Sequence, residues 1–269
     1  MAGSLDSELE AWRNRPLEAK AYPYLFVDAR YEKARIDGRV VSQGVLVVSG
    51  VRDDGMREIL AVEVADTESE ATYHELFRSL KVRGLRRVEL VVSDDHEGLK
   101  AAVSRHFQGA SWQRCQVHYA RNLLGMVGRA RRKELAESLR GVFAAPSREV
   151  ALRLASELAL RWHASHPGVA CHIEEHIEEC LTCLAFPESH RRRIRTTNSL
   201  ERLNQEIKRR SRVVRIFPNR EACLRLVTAL AVEQSEEWLT GRRYLDMEEL
   251  RERGGSEERE TGEVMLMER

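Results

Sequence analysis

Three runs of alternating apolar residues, Tyr22–Ala29, Arg39–Val48 and Arg57–Val64, follow a polar first twenty residues that read as helical or loose. The gaps between the runs contain Asp37-Gly38 and Asp54-Gly55. Asp-Gly between alternating segments signals a hairpin, because both residues tolerate the left-handed backbone of a tight turn. The period then lengthens, and Glu68–Val82 reads as an amphipathic helix. A wholly apolar strand, Val88–Val92, ends in Ser-Asp-Asp, and a helix over Gly98–Phe107 and a short strand over Ser111–Val117 follow. The order β-β-β-α-β-α-β predicts an antiparallel meander extended by parallel strands through crossover helices. From Tyr119 to about His190 the alternation stops, and helical spacing covers Arg129–Phe143, Arg148–Ala164 and His172–Ala185. Beyond it, a helix starts near Thr197-Asn198 with an apolar stripe of Leu200, Leu203 and Ile207, and a long helix covers Glu221–Leu239.

These patterns divide the chain into a polar segment (1–20), a sheet region (21–118), a helical insertion (119–195), C-terminal helices completing the core (196–245) and an acidic tail (246–269) expected to be solvated. With 42% hydrophobic and 32% charged residues, the 269-residue chain has ample material for a core. No apolar run approaches a membrane span, and the opening MAGSLDSELEAW has no signal-peptide pattern. Five cysteines without framework spacing fit a reducing cytoplasm.

The formal net charge of +1 conceals strong segregation. His190–Arg215 holds ten Arg or Lys against two acids, a local net of +8. Tyr119–Lys133 adds five cations and no acid, while Asp246–Arg269 carries a net of −5. Concentrated basic faces can bind a polyanion whatever the total charge. Arg191, Arg192, Arg193, Arg195, Arg202, Lys208, Arg209, Arg210 and Arg212 are the candidate contacts to a DNA backbone. A solvated loop is the alternative for the arginine triplet.

Three carboxylates stand out. Asp28 interrupts an apolar strand, where a buried acid needs a partner or a metal; a turn-capping Asp28 beside Arg30 is the plain alternative. Asp94 follows a strand at the end where open α/β sheets place their sites. It reads equally as a helix cap, with capping-box spacing to Glu97. Within the basic belt, Glu206 has Arg202 and Arg210 at helical spacing and reads as neutralised. Glu201 has no cation so placed; it is either the third residue of an Asn198 capping box or a free metal ligand. If the first and fourth strands are neighbours, Asp28 and Asp94 project side by side, as a pair of Mg²⁺ ions requires.

The segments YPYLFVDARYEKAR, DDGMREILAVEV, GLRRVELVVSDDHEGLKAA, SWQRCQVHYARNLL and RIRTTNSLERLNQEIKRRSRVVRIFPN resemble, in order over about Leu17–Leu245, the catalytic domain of bacterial Mutator-type insertion-sequence transposases. The resemblance implies a ribonuclease H-like fold with an all-helical insertion before the last acid. It also implies a DDE triad at Asp28, Asp94 and Glu201, and Mg²⁺- or Mn²⁺-dependent strand cleavage and transfer, with two ions. DNA ends and target are the implied partners, in a homodimer or larger assembly in the bacterial cytoplasm at the nucleoid. Cys115 and His118 match the family's C-x-x-H motif; with Asn204 they are candidates for active-site support, and packing alone is the alternative for the motif pair. Asp95 departs from the family pattern and reads as a helix cap or a fourth carboxylate. Members also carry an N-terminal end-recognition segment, and no helix-turn-helix pattern precedes Tyr22. A fragment that binds DNA or full-length partners without complete activity is therefore a competing expectation, and a free-standing ribonuclease H-like nuclease a third. Cys171, His172, His176, Cys180 and Cys183 could hold zinc or simply pack in a helix.

Overall fold

The computed structural model describes residues 2–19 and 21–252. Five strands, β1 (Tyr24–Ile36), β2 (Arg39–Val51), β3 (Arg57–Ala65), β4 (Leu90–Ser93) and β5 (Ser111–Arg114), form one mixed sheet in the order β3-β2-β1-β4-β5. The β1–β2 and β2–β3 pairs are antiparallel, and β1–β4 and β4–β5 are parallel. The first hairpin turns at Asp37 (φ 48°) and Gly38 (φ 77°), both left-handed, which matches the twist of the flanking strands. The antiparallel strands run longer than their apolar alternation: β1 continues to Ile36 because its far end pairs with β2 down to Arg39.

Strand alternation gives the sheet two apolar faces. Leu25, Val27, Leu46, Val48 and Val91 pack against α2 (Glu70–Val82) and α3 (Glu97–His106). Tyr24, Phe26, Val45, Val47, Leu90 and Val92 face α9 (Glu201–Val214) and α10 (Arg220–Thr240). An N-terminal helix, α1 (Ala2–Asn14), lies against α10, with Asp6 accepting hydrogen bonds from Arg225. Leu245, Met247 and Leu250 are buried in the α9–α10 core. The expectation of a solvated tail from Asp246 is therefore corrected at its start: two apolar residues at its head, Met247 and Leu250, fill the core despite the acidic composition around them. The rest of the tail, 253–269, lies outside the described residues.

The insertion has its own core. It is built from α4 (Gln116–Gly125), α5 (Arg129–Phe143), α6 (Arg148–His163) and α7 (Pro167–His176), with Trp162 fully enclosed. The helix expected over His172–Ala185 is instead the end of α7 and two 3₁₀ turns, Ile177–Cys180 and Thr182–Ala185. Buried glutamines explain the break. Gln113 Oε1 accepts the Cys183 N–H at 2.7 Å, and Gln116 Nε2 donates to the Cys180 carbonyl at 2.8 Å. These are backbone groups that a continuing helix would use itself. The short helix α8 (Glu188–Ile194) returns the chain to the sheet, where buried His190 Nδ1 accepts from Tyr24 Oη at 2.8 Å and its Nε2 donates to the Asp246 carbonyl.

Candidate active site

The parallel β1–β4 ladder pairs Tyr24 with Leu90 and Phe26 with Val92. Asp28 and Asp94 each lie two residues beyond that last couple, Asp28 still within β1 and Asp94 just past the end of β4. Neighbouring parallel strands thus bring two carboxylates, 66 positions apart in the chain, to one sheet edge.

Asp28 does not pair with Arg30, which bonds Glu32 at 2.6 Å and donates to the Asn204 carbonyl. Its Oδ2 accepts instead from Asn204 Nδ2 on α9. Burial pushes the Asp28 carboxyl above the usual range, and the nearby Asp94 charge adds to the push; His118 and Asn204 oppose it. Asp94 is half exposed, and its Oδ1 accepts the Asp95 N–H at 2.8 Å.

His118 sits between these acids and the insertion. Its Nδ1 is buried without a hydrogen-bond partner, 3.9 Å from Asp94 Oδ2. Cys115 is fully buried, and its Sγ accepts from the Thr197 N–H at 3.4 Å and the Thr197 hydroxyl at 3.5 Å. Burial alone would raise the Cys115 thiol, but His118 and Thr197 outweigh it and hold the thiol below its ordinary value. Conversely, Cys115 and then the two aspartates hold the His118 imidazole above its ordinary value, against its burial. The C-x-x-H pair therefore connects the start of α4 to the turn before α9.

Glu201 opens α9, after a 3₁₀ turn at Asn198–Leu200, with no side-chain capping bond. The capping-box reading is corrected: the 3₁₀ turn brings Glu201 to the helix start rather than its third position. A cavity of about 260 Å³ is lined by Asp28, His118, Arg121, Glu201, Asn204 and Lys208, among others. A second, of about 230 Å³, is lined by Asp28, Tyr31, Tyr73, Asp94, His96 and His118, among others. Asp28 and His118 border both, so Asp94 and Glu201 flank them from different cavities. Among the described residues no three ligating side chains come close enough to hold a metal ion.

The remaining candidates divide. Glu206 is paired, but mainly with Arg209 at 2.9 Å and more loosely with Arg210 at 3.9 Å; Arg202 turns away to Glu237 at 2.9 Å. Arg191 donates to the Phe186 and Pro146 carbonyls, Arg195 to the Phe143 carbonyl, and Arg193 stacks 4.9 Å over Tyr244. These three serve packing as well as charge. Arg192, Lys208, Arg209, Arg210 and Arg212 are exposed. Arg121 was not singled out in the sequence, although it follows His118 by three positions on one helix and so shares its face.

Asp95 does not cap α3. The N-cap of α3 is His96, whose side chain accepts from the Leu99 N–H, while Asp95 bonds Arg114 at 3.0 Å and Lys100 at 3.1 Å. The Asp94/Glu97 capping box is also absent, since Glu97 pairs with Lys100. The Cys171–Cys183 segment does not gather ligands: Cys180 and Cys183 are buried, Cys171 is exposed against Glu175, and His172 stacks on Tyr119.

A sheet edge carrying paired aspartates, faced by a basic helix that opens with glutamate, is the setting in which the comparisons with known proteins fall. The family model "Transposase, Mutator family" matches residues 1–241, and the chain belongs to that family. It is 46% identical over 91% of its length to the transposase for insertion sequence element IS406 of Burkholderia multivorans, covering 63% of that protein. To the transposase for ISRM5 of Rhizobium meliloti it is 45% identical, over 92% of this chain and 62% of the relative. To the transposase for IS256 in transposon Tn4001 of Staphylococcus aureus it is 36% identical, over 91% and 63%. The chain thus spans about three fifths of the length of these relatives. A Drosophila P element transposase strand transfer complex aligns over 92% of this chain and 75% of that one at 11% identity, with a TM-score of 0.31. No helix among the described residues is long and apolar enough to cross a membrane.

Proposed function

We propose that this chain is the catalytic core of a DDE-type insertion-sequence transposase with a ribonuclease H-like sheet, cleaving DNA strands at element ends and joining them to target DNA. The observation that carries this reading is the register of β1 and β4, which sets Asp28 and Asp94 side by side while Asn204 of α9 reaches Asp28.

Mg²⁺ or Mn²⁺ fits the chemistry of this edge. Burial and a second carboxylate push Asp28 up further than His118 and Asn204 hold it down, so added positive charge at this edge would stabilise the ionised form, and hard cations take oxygen ligands. Asp28 and Asp94 would hold the metal, with Glu201 as the third ligand once the first turn of α9 moves toward them. When bound, the divalent ions would activate the attacking oxygen and stabilise the leaving one. The chain's own groups do the rest. Asn204 orients Asp28 through its amide, and His118 supplies a donor between the two acids. Arg121 and Lys208 place positive charge where a phosphate backbone would pass. The exposed cations further along α9 extend that track. Synapsis of two element ends would require at least a dimer on DNA, in the bacterial cytoplasm.

The test is cleavage and joining of a pre-nicked duplex carrying the element end, with Mn²⁺ present. Glu201→Gln should yield no product, and Glu206→Gln should match the unsubstituted chain. Equal loss in both, or full activity in Glu201→Gln, would overturn the assignment of the third acid.

A further inference from the structure

Arg114, at the end of β5, is 2% exposed and sits between two carboxylates from distant parts of the chain. Its NH2 bonds Asp95 Oδ2 at 3.0 Å and its NH1 bonds Glu179 Oε2 at 3.0 Å. Lys100 reinforces the pair, 3.1 Å from Asp95 and 3.7 Å from Glu179. The guanidinium lies 5.2 Å over the Tyr119 ring, and its Nε is buried without a partner. For stability alone, an apolar side chain of similar volume would serve about as well as a buried arginine paired with partly exposed carboxylates. What the cluster adds is direction: a planar fork holds two carboxylates in one fixed geometry.

That geometry bears on Asp94. The Asp95 N–H donates to Asp94 Oδ1 at 2.8 Å, so the peptide that clamps Asp94 belongs to the residue Arg114 anchors. A second tether also comes from β5. Trp112 Nε1 donates to Ser93 Oγ at 2.8 Å, and Ser93 Oγ donates to the Asp94 carbonyl at 2.8 Å. Asp94 is thus held on both sides from one strand, and one side is pinned through Arg114 to the helical insertion.

We infer that Arg114 is a positioning residue that fixes the Asp94 carboxylate through Asp95, and that Glu179 of the insertion sets its orientation. The inference rests on the proposed role of Asp94. It makes the insertion part of the site's geometry: a shift of the Ile177–Cys180 turn is transmitted through two ion pairs to the Asp94 peptide.

The test compares Glu179→Gln and Arg114→Lys with Glu178→Gln, which breaks the neighbouring 2.7 Å pair to Arg148 within the insertion. Mn²⁺ affinity is measured by calorimetry on the full chain, beside strand-cleavage turnover, DNA affinity and melting temperature. Glu179→Gln and Arg114→Lys should weaken Mn²⁺ binding roughly tenfold and lower turnover by about 10- to 100-fold, as a displacement near 1 Å does, with DNA affinity unchanged. Glu178→Gln should match the unsubstituted chain in all four. Unchanged Mn²⁺ affinity and turnover in Glu179→Gln overturns the inference, and so does loss of the folded state, which would make the cluster a stability element. Asp94→Asn runs alongside: full turnover there would refute the role of Asp94 itself, whichever way the Glu179 result falls.

Discussion

Ile207 is wholly buried on the stripe that seats α9 against the sheet, with Leu200 and Leu203 on the same face. Replacing it with alanine removes three carbons from that core. At about 0.8 kcal/mol per buried CH₂, the lost transfer energy is about 2.4 kcal/mol. A cavity that relaxes only partly adds to this, within the range of about 2–5 kcal/mol for such truncations. About 3 kcal/mol is therefore expected for Ile207→Ala. Ile207→Val removes one carbon and should cost about 1 kcal/mol. Urea unfolding, followed by circular dichroism and compared at equal slope, gives both differences from the shift in midpoint. Because α9 carries Glu201 and Asn204, Ile207→Ala should also lower cleavage more than DNA affinity. A loss under about 0.5 kcal/mol for Ile207→Ala, the level of a surface substitution, would refute the claim that this stripe seats the helix.

Two further outcomes follow from the charges at the site. The folded state holds the Asp28 carboxyl above its ordinary value, so its ionised form destabilises the metal-free fold at neutral pH, and this cost fades as pH falls through the folded value. Asp28→Asn should accordingly raise the melting temperature at pH 7 to 8 in EDTA, with the gain shrinking toward about pH 4; an unchanged or lowered melting temperature at neutral pH contradicts it. Lys208→Ala and Arg121→Ala should each reduce the slope of log affinity against log salt by about 0.9 on duplex DNA, read by anisotropy between roughly 50 and 200 mM salt. A uniform affinity loss without a slope change would place both cations off the phosphate track.

Local chemistry accounts for what could be read from the chain. The Asp-Gly turns, the strand alternation and the α9 stripe each depend on neighbours within a few positions, and each corresponds to an observed element. The adjacency of β1 and β4 is a common arrangement for the β-β-β-α-β order, not a property of any single residue, and the sheet order has it. What could not be read depends on distant partners. The break after α7 is imposed by Gln116 and Gln113, 64 and 70 positions away from the groups they bond. Asp95 looked like a cap because its anchor, Arg114, lies on another strand and shares no periodicity with it. Met247 and Leu250 were hidden by the acidic composition around them. For Glu201, the missing cation at helical spacing was legible, whereas its place in a cavity separate from that of Asp94 depends on a 3₁₀ turn with no local signature.

The convergence of the three acids is measured most directly by locating manganese. Crystals of the chain with an element-end duplex and Mn²⁺, examined by anomalous scattering at the manganese edge, should place ions against both Asp28 and Asp94, with the Glu201 carboxylate drawn in as a ligand. Manganese absent from both aspartates, or Glu201 still in its outer cavity with DNA bound, would contradict the account.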